Sequence, residues 1–239
     1  MNRPTELLVL AGGFGTRLRS AVGVVPKPLA PVGDRPFLYY LVENWVHQGV
    51  SKMAFLLHHK SKYIEDYLRE LKAEGRLKNC DVQALTEPEP LGTGGAVAFA
   101  VRQLGLSGSF LVANADTWLG SGVQPLSYES SPAMAVLPSE TTERYGGVRV
   151  HEGRVVSFQE KRSSQGPGLI NAGLYHLPAA IFQQRPVTPF SLERDVFPEL
   201  AATGQLRAVE LKTDFIDIGI PDDYFRFCRW VQSGRKEGL

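Results

Sequence analysis

No apolar run in the 239 residues approaches the ~20 residues that a membrane helix needs. The N-terminus carries Arg3 and then about six apolar residues ending in Gly-Gly, which is shorter than a signal-peptide core. Cysteine is scarce. Cys80 and Cys228 stand far apart with no metal or redox spacing, so both are expected as small buried or half-buried side chains of a cytoplasmic protein. The net charge of +1 gives no electrostatic reason to expect nucleic acid or an anionic membrane as partner. Internal repeats, low-complexity segments and linkers are missing too. So is the P-loop string G-x-x-x-x-G-K-[ST], and so is the hydrolase elbow G-x-S-x-G. The dinucleotide fingerprint fails at its third glycine, where Leu18 stands. His58 and His59 are adjacent and have no spaced metal partner.

What is present is an ordinary globular composition, 43% hydrophobic and 21% charged, in a chain long enough for a large core. Its most informative stretch runs from Glu6 to Phe37. The apolar run Leu7 to Ala11 has the length of a buried strand. Gly12, Gly13 and Gly15 follow at once, where the chain must turn sharply and let its backbone approach something closely. Arg17, Arg19 and Lys27 come next, with Pro26 and Pro28 expected to hold the lysine in an extended segment. A strand that empties into a glycine loop and then into fixed cations suits a polyphosphate: N–H groups line the anion and the cations neutralise it.

Strand and helix patterns alternate as far as Asn114. Strands are expected at Met53 to Leu57, Val82 to Leu85 and Phe110 to Ala113, and helices from Phe37 to Gly49, Tyr63 to Gly75 and Thr93 to Leu104. This predicts an α/β fold, a Rossmann-like, mainly parallel (mixed) sheet flanked by helices, with ligands beyond the carboxyl ends of the strands. The second half reads as strands at Ala133 to Leu137, Gly147 to Val150, Val155 to Phe158, Leu169 to Leu177, Leu206 to Leu211 and Phe215 to Ile218. A short helix is expected at Glu193 to Leu200 and a last one from Pro221 to about Gln232. One domain, 1–239, is expected, with one lobe over about 1–116 and a β-rich lobe over about 117–239.

Further strings carry chemistry. Glu87-Pro-Glu-Pro-Leu-Gly-Thr-Gly-Gly-Ala is a second glycine turn before a helix: by itself it reads equally as a close-packed turn, and read with the first loop it places Gly92 and Gly94 against a flat base or ribose and Thr93 near the helix N-terminus. Asn114-Ala115-Asp116 ends a buried strand in a carboxylate, and Asp217 lies inside an apolar strand. Both acids need a paired charge or a metal. Two such carboxylates from distant strands can share one hard cation, and Mg²⁺ would keep waters and take phosphate oxygens as well. Glu160-Lys161 taken alone is an ordinary surface charge pair, and Asn171 with Gly173 puts a polar residue and a glycine into a strand.

In order, AGGFGTRL, PKPL, EPLGTGGA, NAD, YGGV, EKR, NAGLY and FIDIGIPDDY resemble the motifs of the sugar-phosphate nucleotidyltransferases over nearly the whole chain. The resemblance implies a GT-A-like nucleotidyltransferase fold, with nucleotide on the lobe over about 1–116 and sugar phosphate on the lobe over about 117–239, and transfer of a nucleoside monophosphate from an NTP to a sugar 1-phosphate, with release of pyrophosphate. It implies nucleotide contacts from Leu10, Ala11, Gly12, Gly13, Gly15, Thr16, Glu87, Gly92, Thr93 and Asn114, and Mg²⁺ held by Asp116 and Asp217. Arg17 and Lys27 would hold the triphosphate, Lys161 would meet the sugar phosphate, and Gly146, Glu160 and Asn171 its hydroxyls. Glu87 can accept two hydrogen bonds from the guanine edge, which favours GTP. The stretch from Gly15 to Val42 looks most like the branch that uses GTP and heptose 1-phosphate, then the mannose 1-phosphate branch. Arg19-Ser20-Ala21 departs from the Pro-Leu-Thr of many relatives, so contacts from that threonine do not carry over. A homodimer is implied by resemblance alone. The alternative, a binding subunit that has lost catalysis, would lack one of Arg17, Lys27, Asp116, Lys161 or Asp217, and all five are present.

Overall fold

The computed structural model describes residues 5–142, 145, 147–158 and 166–235. The chain forms two compact units, one of Met1–Glu89, Asn114–Ser121 and Thr213–Leu239, the other of Pro90–Ala113 and Gly122–Lys212.

In the first unit the strand Thr5–Leu10 pairs in parallel with Val50–Leu57, which pairs in parallel with Asp81–Thr86. Leu7, Leu8 and Val9, like Phe55, Leu56 and Leu57, are fully buried, as expected of parallel strands covered on both faces. Asp81–Thr86 is the edge strand and is mostly exposed. The helix Phe37–His47 buries Leu38, Leu41, Val42 and Trp45, and Gly49 at φ +93° ends the segment in a conformation that favours glycine. The helix Ser61–Ala73 buries Ile64, Leu68 and Leu71, spaced to make one apolar stripe.

The chain re-enters this unit twice, and both returns carry a carboxylate. Thr117–Leu119 pairs antiparallel with Phe215–Asp217, so that Thr117 faces Asp217. The Trp118 ring packs on Phe227 and Trp230 of the final helix Pro221–Gln232, and Phe227 packs edge-on to Phe37. This aromatic wedge backs the strand pair.

In the second unit the strand Gly168–Pro178 lies between Ser109–Asn114 and Ala133–Ser139, antiparallel to both. Ala133–Ser139 pairs in parallel with Arg207–Glu210, and Arg154–Phe158 runs antiparallel to Gly147–His151 and to Arg207–Glu210. The fold is therefore mixed α/β: the three-stranded sheet of the first unit is parallel, beside short antiparallel pairs, and the pairing in the second is chiefly antiparallel. The helix expected at Glu193 to Leu200 is divided: Leu192–Val196 forms a wider turn and Phe197–Ala202 the α-helix. Pro198 in the first turn of that helix has no N–H to continue a four-residue ladder from upstream. Three short elements, Thr117–Leu119, Val123–Ser127 and Ala180–Gln183, have no counterpart in the sequence reading.

Candidate active site

The first strand ends at Leu10, and the glycine loop begins where Ala11 still donates a ladder-like bond to Leu56 O, 3.0 Å. Gly15 adopts φ +58°, open to glycine and strained for other residues, and a Cβ there would lie 3.1 Å from Lys27 Cβ. A tight turn, Thr16–Leu18, follows. It buries Leu18 and leaves Arg17 exposed. Lys27 is not extended as its flanking prolines suggested. It opens a short turn, Lys27–Leu29, closed by Leu29 N–H to Pro26 O at 2.8 Å and Ala30 N–H to Lys27 O at 3.1 Å, bonds that outweigh the extended preference of a residue before proline.

Lys27 reaches inward. Its Nζ lies 2.6 Å from Asp116 Oδ2 and 3.4 Å from Asp217 Oδ1, and its side chain is only 10% exposed. Each carboxylate is fixed by its own neighbours. Thr117 Oγ1 donates to Asp116 Oδ1 at 3.2 Å, and Ala115 N–H donates to Leu10 O at 3.1 Å. Gly219 N–H donates to Asp217 Oδ1 at 2.6 Å, and Ile218 N–H to Asp116 O at 3.0 Å. A Cβ on Gly219 would lie 2.8 Å from Asp217 Oδ1 and 3.2 Å from Lys27 Nζ, so glycine is what leaves room for this arrangement. Burial, and after it the Asp116 charge, push the Asp217 carboxyl above the ordinary aspartate range, while Lys27 and the Gly219 N–H pull it back.

A cleft of about 250 Å³ opens beside Lys27, Asp116 and Gly219; Asp217 is not among its lining residues and adjoins it through Lys27 and Gly219. Of the residues expected to hold nucleotide, Leu10, Ala11, Gly13, Gly15, Thr16 and Arg17 line it. Lys27 and Asp116 form part of its wall. Gly12 faces the other way, its α-carbon packed where a Cβ would meet Glu87 Oε1 at 3.2 Å and His58 N at 3.3 Å. Glu87 itself is buried and is tied to the neighbouring strand by its N–H to Leu57 O, 2.7 Å. The sequence reading missed Phe14, Leu18, Pro28, Ala115 and Gly219, which also line the cleft, and Thr117, which braces Asp116. The glycine of FIDIG offered a signal for one of them. Phe14, more than half exposed, packs its ring tilted against His59 at 5.0 Å and edge-on to His58 at 6.4 Å, a use of the two histidines that their spacing did not suggest.

Gly92, Thr93, Gly94 and Asn171 belong to the second unit. A Cβ on Gly92 would meet Phe190 O at 2.6 Å, and one on Gly94 would meet two ring carbons of Phe190 at 2.3 Å. The second glycine turn is thus close-packed against Phe190, the packing alternative that its sequence left open. The Thr93 hydroxyl donates to Glu193 Oε2 at 2.7 Å and accepts from Leu192 N–H at 2.9 Å. Asn171 donates from Nδ2 to Tyr175 OH and accepts from Gly173 N–H, both at 2.9 Å. Gly173, at φ +73°, sits where the strand register slips between Asn171 and Tyr175, so its glycine serves a bulge. Gly146, Glu160 and Lys161 lie outside the described residues. Asn114 closes its strand two residues before Asp116.

Two carboxylates bridged by an ammonium make a site already built around positive charge, and their hard oxygens suit a divalent cation. Among the described residues no group of three or more His, Cys, Asp or Glu side chains gathers to hold a metal. That count fits an ion bound by one or two carboxylates plus substrate phosphates.

A parallel α/β unit with a glycine loop beyond its first strand, cations in the loop and paired acids beneath it defines a phosphate-binding, nucleotide-handling protein. The family model described as Nucleotidyl transferase matches residues 6–233, and the chain belongs to that family. Two relatives named D-glycero-alpha-D-manno-heptose 1-phosphate guanylyltransferase are each 33% identical. The one from Aneurinibacillus thermoaerophilus aligns over 233 residues, covering 95% of this chain and 98% of its own. The one from Campylobacter jejuni subsp. jejuni serotype O:2 aligns over 225 residues, covering 93% and 98%. The crystal structure of HddC from Yersinia pseudotuberculosis complexed with GMP-PN superposes with a TM-score of 0.83 at 36% identity, over 95% of this chain and 99% of that one.

Proposed function

We propose that the protein transfers GMP from GTP to D-glycero-α-D-manno-heptose 1-phosphate, giving GDP-heptose and pyrophosphate. The observation that carries the reading is the triad beneath the glycine loop, Lys27 between Asp116 and Asp217 under a cleft walled by Thr16 and Arg17. Near-complete alignment with two heptose 1-phosphate guanylyltransferases supports the choice of sugar and base. For the base, Glu87 supplies a carboxylate that can accept from guanine N1–H and N2–H₂, an edge that adenine, uracil and thymine lack.

The chemistry requires no covalent enzyme intermediate and no general base, because the sugar phosphate oxygen is already anionic at neutral pH. That oxygen attacks the α-phosphorus of GTP, a new P–O bond forms, and the bond to the β-phosphate breaks with pyrophosphate leaving. The obstacles are repulsion between two anions and the entropy of aligning them. Arg17 and Lys27 neutralise the triphosphate, the loop N–H groups at Gly13 and Gly15 orient it, and Lys161 is assigned the sugar phosphate. Gly146, Glu160 and Asn171 are assigned sugar hydroxyls, and Gly92, Thr93 and Asn114 nucleotide contacts. Asp116 and Asp217 would hold Mg²⁺, which adds counter-charge to the developing pyrophosphate when bound.

No helix among the described residues is long and apolar enough to cross a membrane. We place the enzyme in the cytoplasm, as one domain over residues 1–239, supplying nucleotide-activated heptose for capsule, lipopolysaccharide or surface-layer glycans; for a homodimer the resemblance is the sole support. The test is a matrix of four NTPs against heptose, mannose, glucose and N-acetylglucosamine 1-phosphates, read by pyrophosphate release. The reading fails if UTP or dTTP with a hexose phosphate gives the highest kcat/KM.

A further inference from the structure

We propose that Lys27 is the resident counter-ion of Asp116 and Asp217, keeping divalent cations off the pair until a nucleotide triphosphate draws the ammonium away. The proposal rests on the reading of this cleft as a nucleotide and metal site, and adds a switching role for one of its side chains.

The lysine's position is built into the fold. Its stem passes beside Gly15, where a Cβ would lie 3.1 Å from Lys27 Cβ, and its ammonium ends beside Gly219, where a Cβ would lie 3.2 Å from Nζ. Two glycines thus open a slot for one side chain, and the two acids at its end receive the charge at 2.6 and 3.4 Å. Few lysines are so enclosed, since burying an ammonium is costly unless it is paired.

This arrangement conflicts with simple metal binding. A divalent ion would sit about 2.0–2.1 Å from a carboxylate oxygen. An ammonium 2.6 Å from Asp116 Oδ2 would leave a double and a single positive charge within a few ångströms of each other, in a part-buried site where water screens weakly. Either the ion is repelled or the ammonium leaves. The ammonium has somewhere to go, because Lys27 lines the same cleft as Thr16 and Arg17 and has a flexible four-carbon stem. A triphosphate there offers more negative charge than the two acids, and brings its own oxygens as metal ligands. The carboxylate pair then becomes free for the ion at the moment the ion is needed. Metal is therefore expected to bind with the nucleotide or after it.

The test uses Mn²⁺ as probe, first with no nucleotide and no sugar phosphate, and then with GTP added. Free Mn²⁺ is followed by electron paramagnetic resonance as it is titrated into wild type, Lys27→Met, Lys27→Gln and the double variant Lys27→Met/Asp217→Asn. Lys27→Met is expected to bind Mn²⁺ at least about tenfold more tightly than wild type, a difference of about 1.4 kcal/mol. Lys27→Gln, which still offers a neutral donor to the acids, should fall between, and the double variant should lose the gain. Thermal melts give a second readout. Mn²⁺ should raise the Tm of Lys27→Met and leave nucleotide-free wild type unmoved, and the shift remains measurable if the variant is weakened by two unpaired acids. Equal or weaker Mn²⁺ binding by both lysine variants overturns the switch while leaving the metal site standing. Failure of every protein to bind Mn²⁺, with or without GTP, overturns the metal site and the switch together. Neither result touches the separate question of which substrates release pyrophosphate.

Discussion

The Gly219 N–H lies 2.6 Å from Asp217 Oδ1, and a side-chain carbon on that glycine would come within 2.8 Å of the same oxygen. The glycine therefore both donates to the carboxylate and leaves it room. Gly219→Ala should lower kcat/KM by about 10-fold or more, about 1.4 kcal/mol. Because the change is local, a thermal melt should stay within a few degrees of wild type, about the shift expected for 1 kcal/mol. Wild-type turnover in this variant would mean that the Asp217 position tolerates more movement than its contacts imply.

Asp217→Asn keeps the shape of the side chain and removes its charge. Loss of one preorganised charged group at the reacting phosphates is expected to cost on the order of 10²- to 10³-fold in kcat. Near-UV circular dichroism should be unchanged, since the aromatic wedge of Trp118, Phe227 and Trp230 lies behind the strand pair. Full activity would remove Asp217 from the metal site.

Glu87 tests the base. Glu87→Gln keeps its size and replaces one acceptor oxygen by a donor, which opposes the guanine N–H groups. The preference for GTP over ATP should shrink by about 10- to 100-fold, the scale at which unpaired polar groups discriminate. ITP, which lacks the N2 amine, should lose less than GTP on the substitution. Parallel losses for all purine nucleotides would assign Glu87 to bracing Gly12 and not to reading the base.

Much of this site was legible because its chemistry is local in sequence. The strand Thr5–Leu10, the turn at Gly15 and the lysine between two prolines lie within one short stretch. The two acids were legible as charges in apolar strands. Their meeting through Lys27 was not, because it depends on a pairing of Thr117 with Asp217 a hundred residues apart. Thr117–Leu119 is too short for its period to show. The role of the second glycine turn was not legible for a physical reason: Gly92 and Gly94 admit Phe190, and sequence cannot tell protein packing from a ligand's approach.

That packing is itself testable. Gly94→Ala would push a methyl to within 2.3 Å of the Phe190 ring carbons, so the variant should unfold at lower temperature. Adding Phe190→Leu should recover part of the loss, a coupling that a double-mutant cycle in urea would read. Simple additivity would mean that the two residues do not meet in solution.

Alkali should weaken the fold. Burial pushes the Cys80 thiol up to about 11 and, chiefly for the same reason, the Tyr224 hydroxyl up to about 12. The unfolded chain loses these protons near pH 9 and 10 while the folded chain keeps them, so unfolding releases protons in that range. The stabilisation is complete below about pH 9 and is lost as pH rises towards 11 to 12. Urea midpoints at pH 8, 9.5 and 11 should fall in that order, and Cys80→Ser should flatten the first part of the decline. A midpoint independent of pH would contradict it.

The central claim is met most directly by product analysis in one vessel. With Mg²⁺, GTP and equal heptose and mannose 1-phosphates, mass spectrometry should find GDP-heptose as the dominant product, with one pyrophosphate released per nucleotide sugar formed. GDP-mannose in excess, or pyrophosphate from neither sugar, would contradict the account.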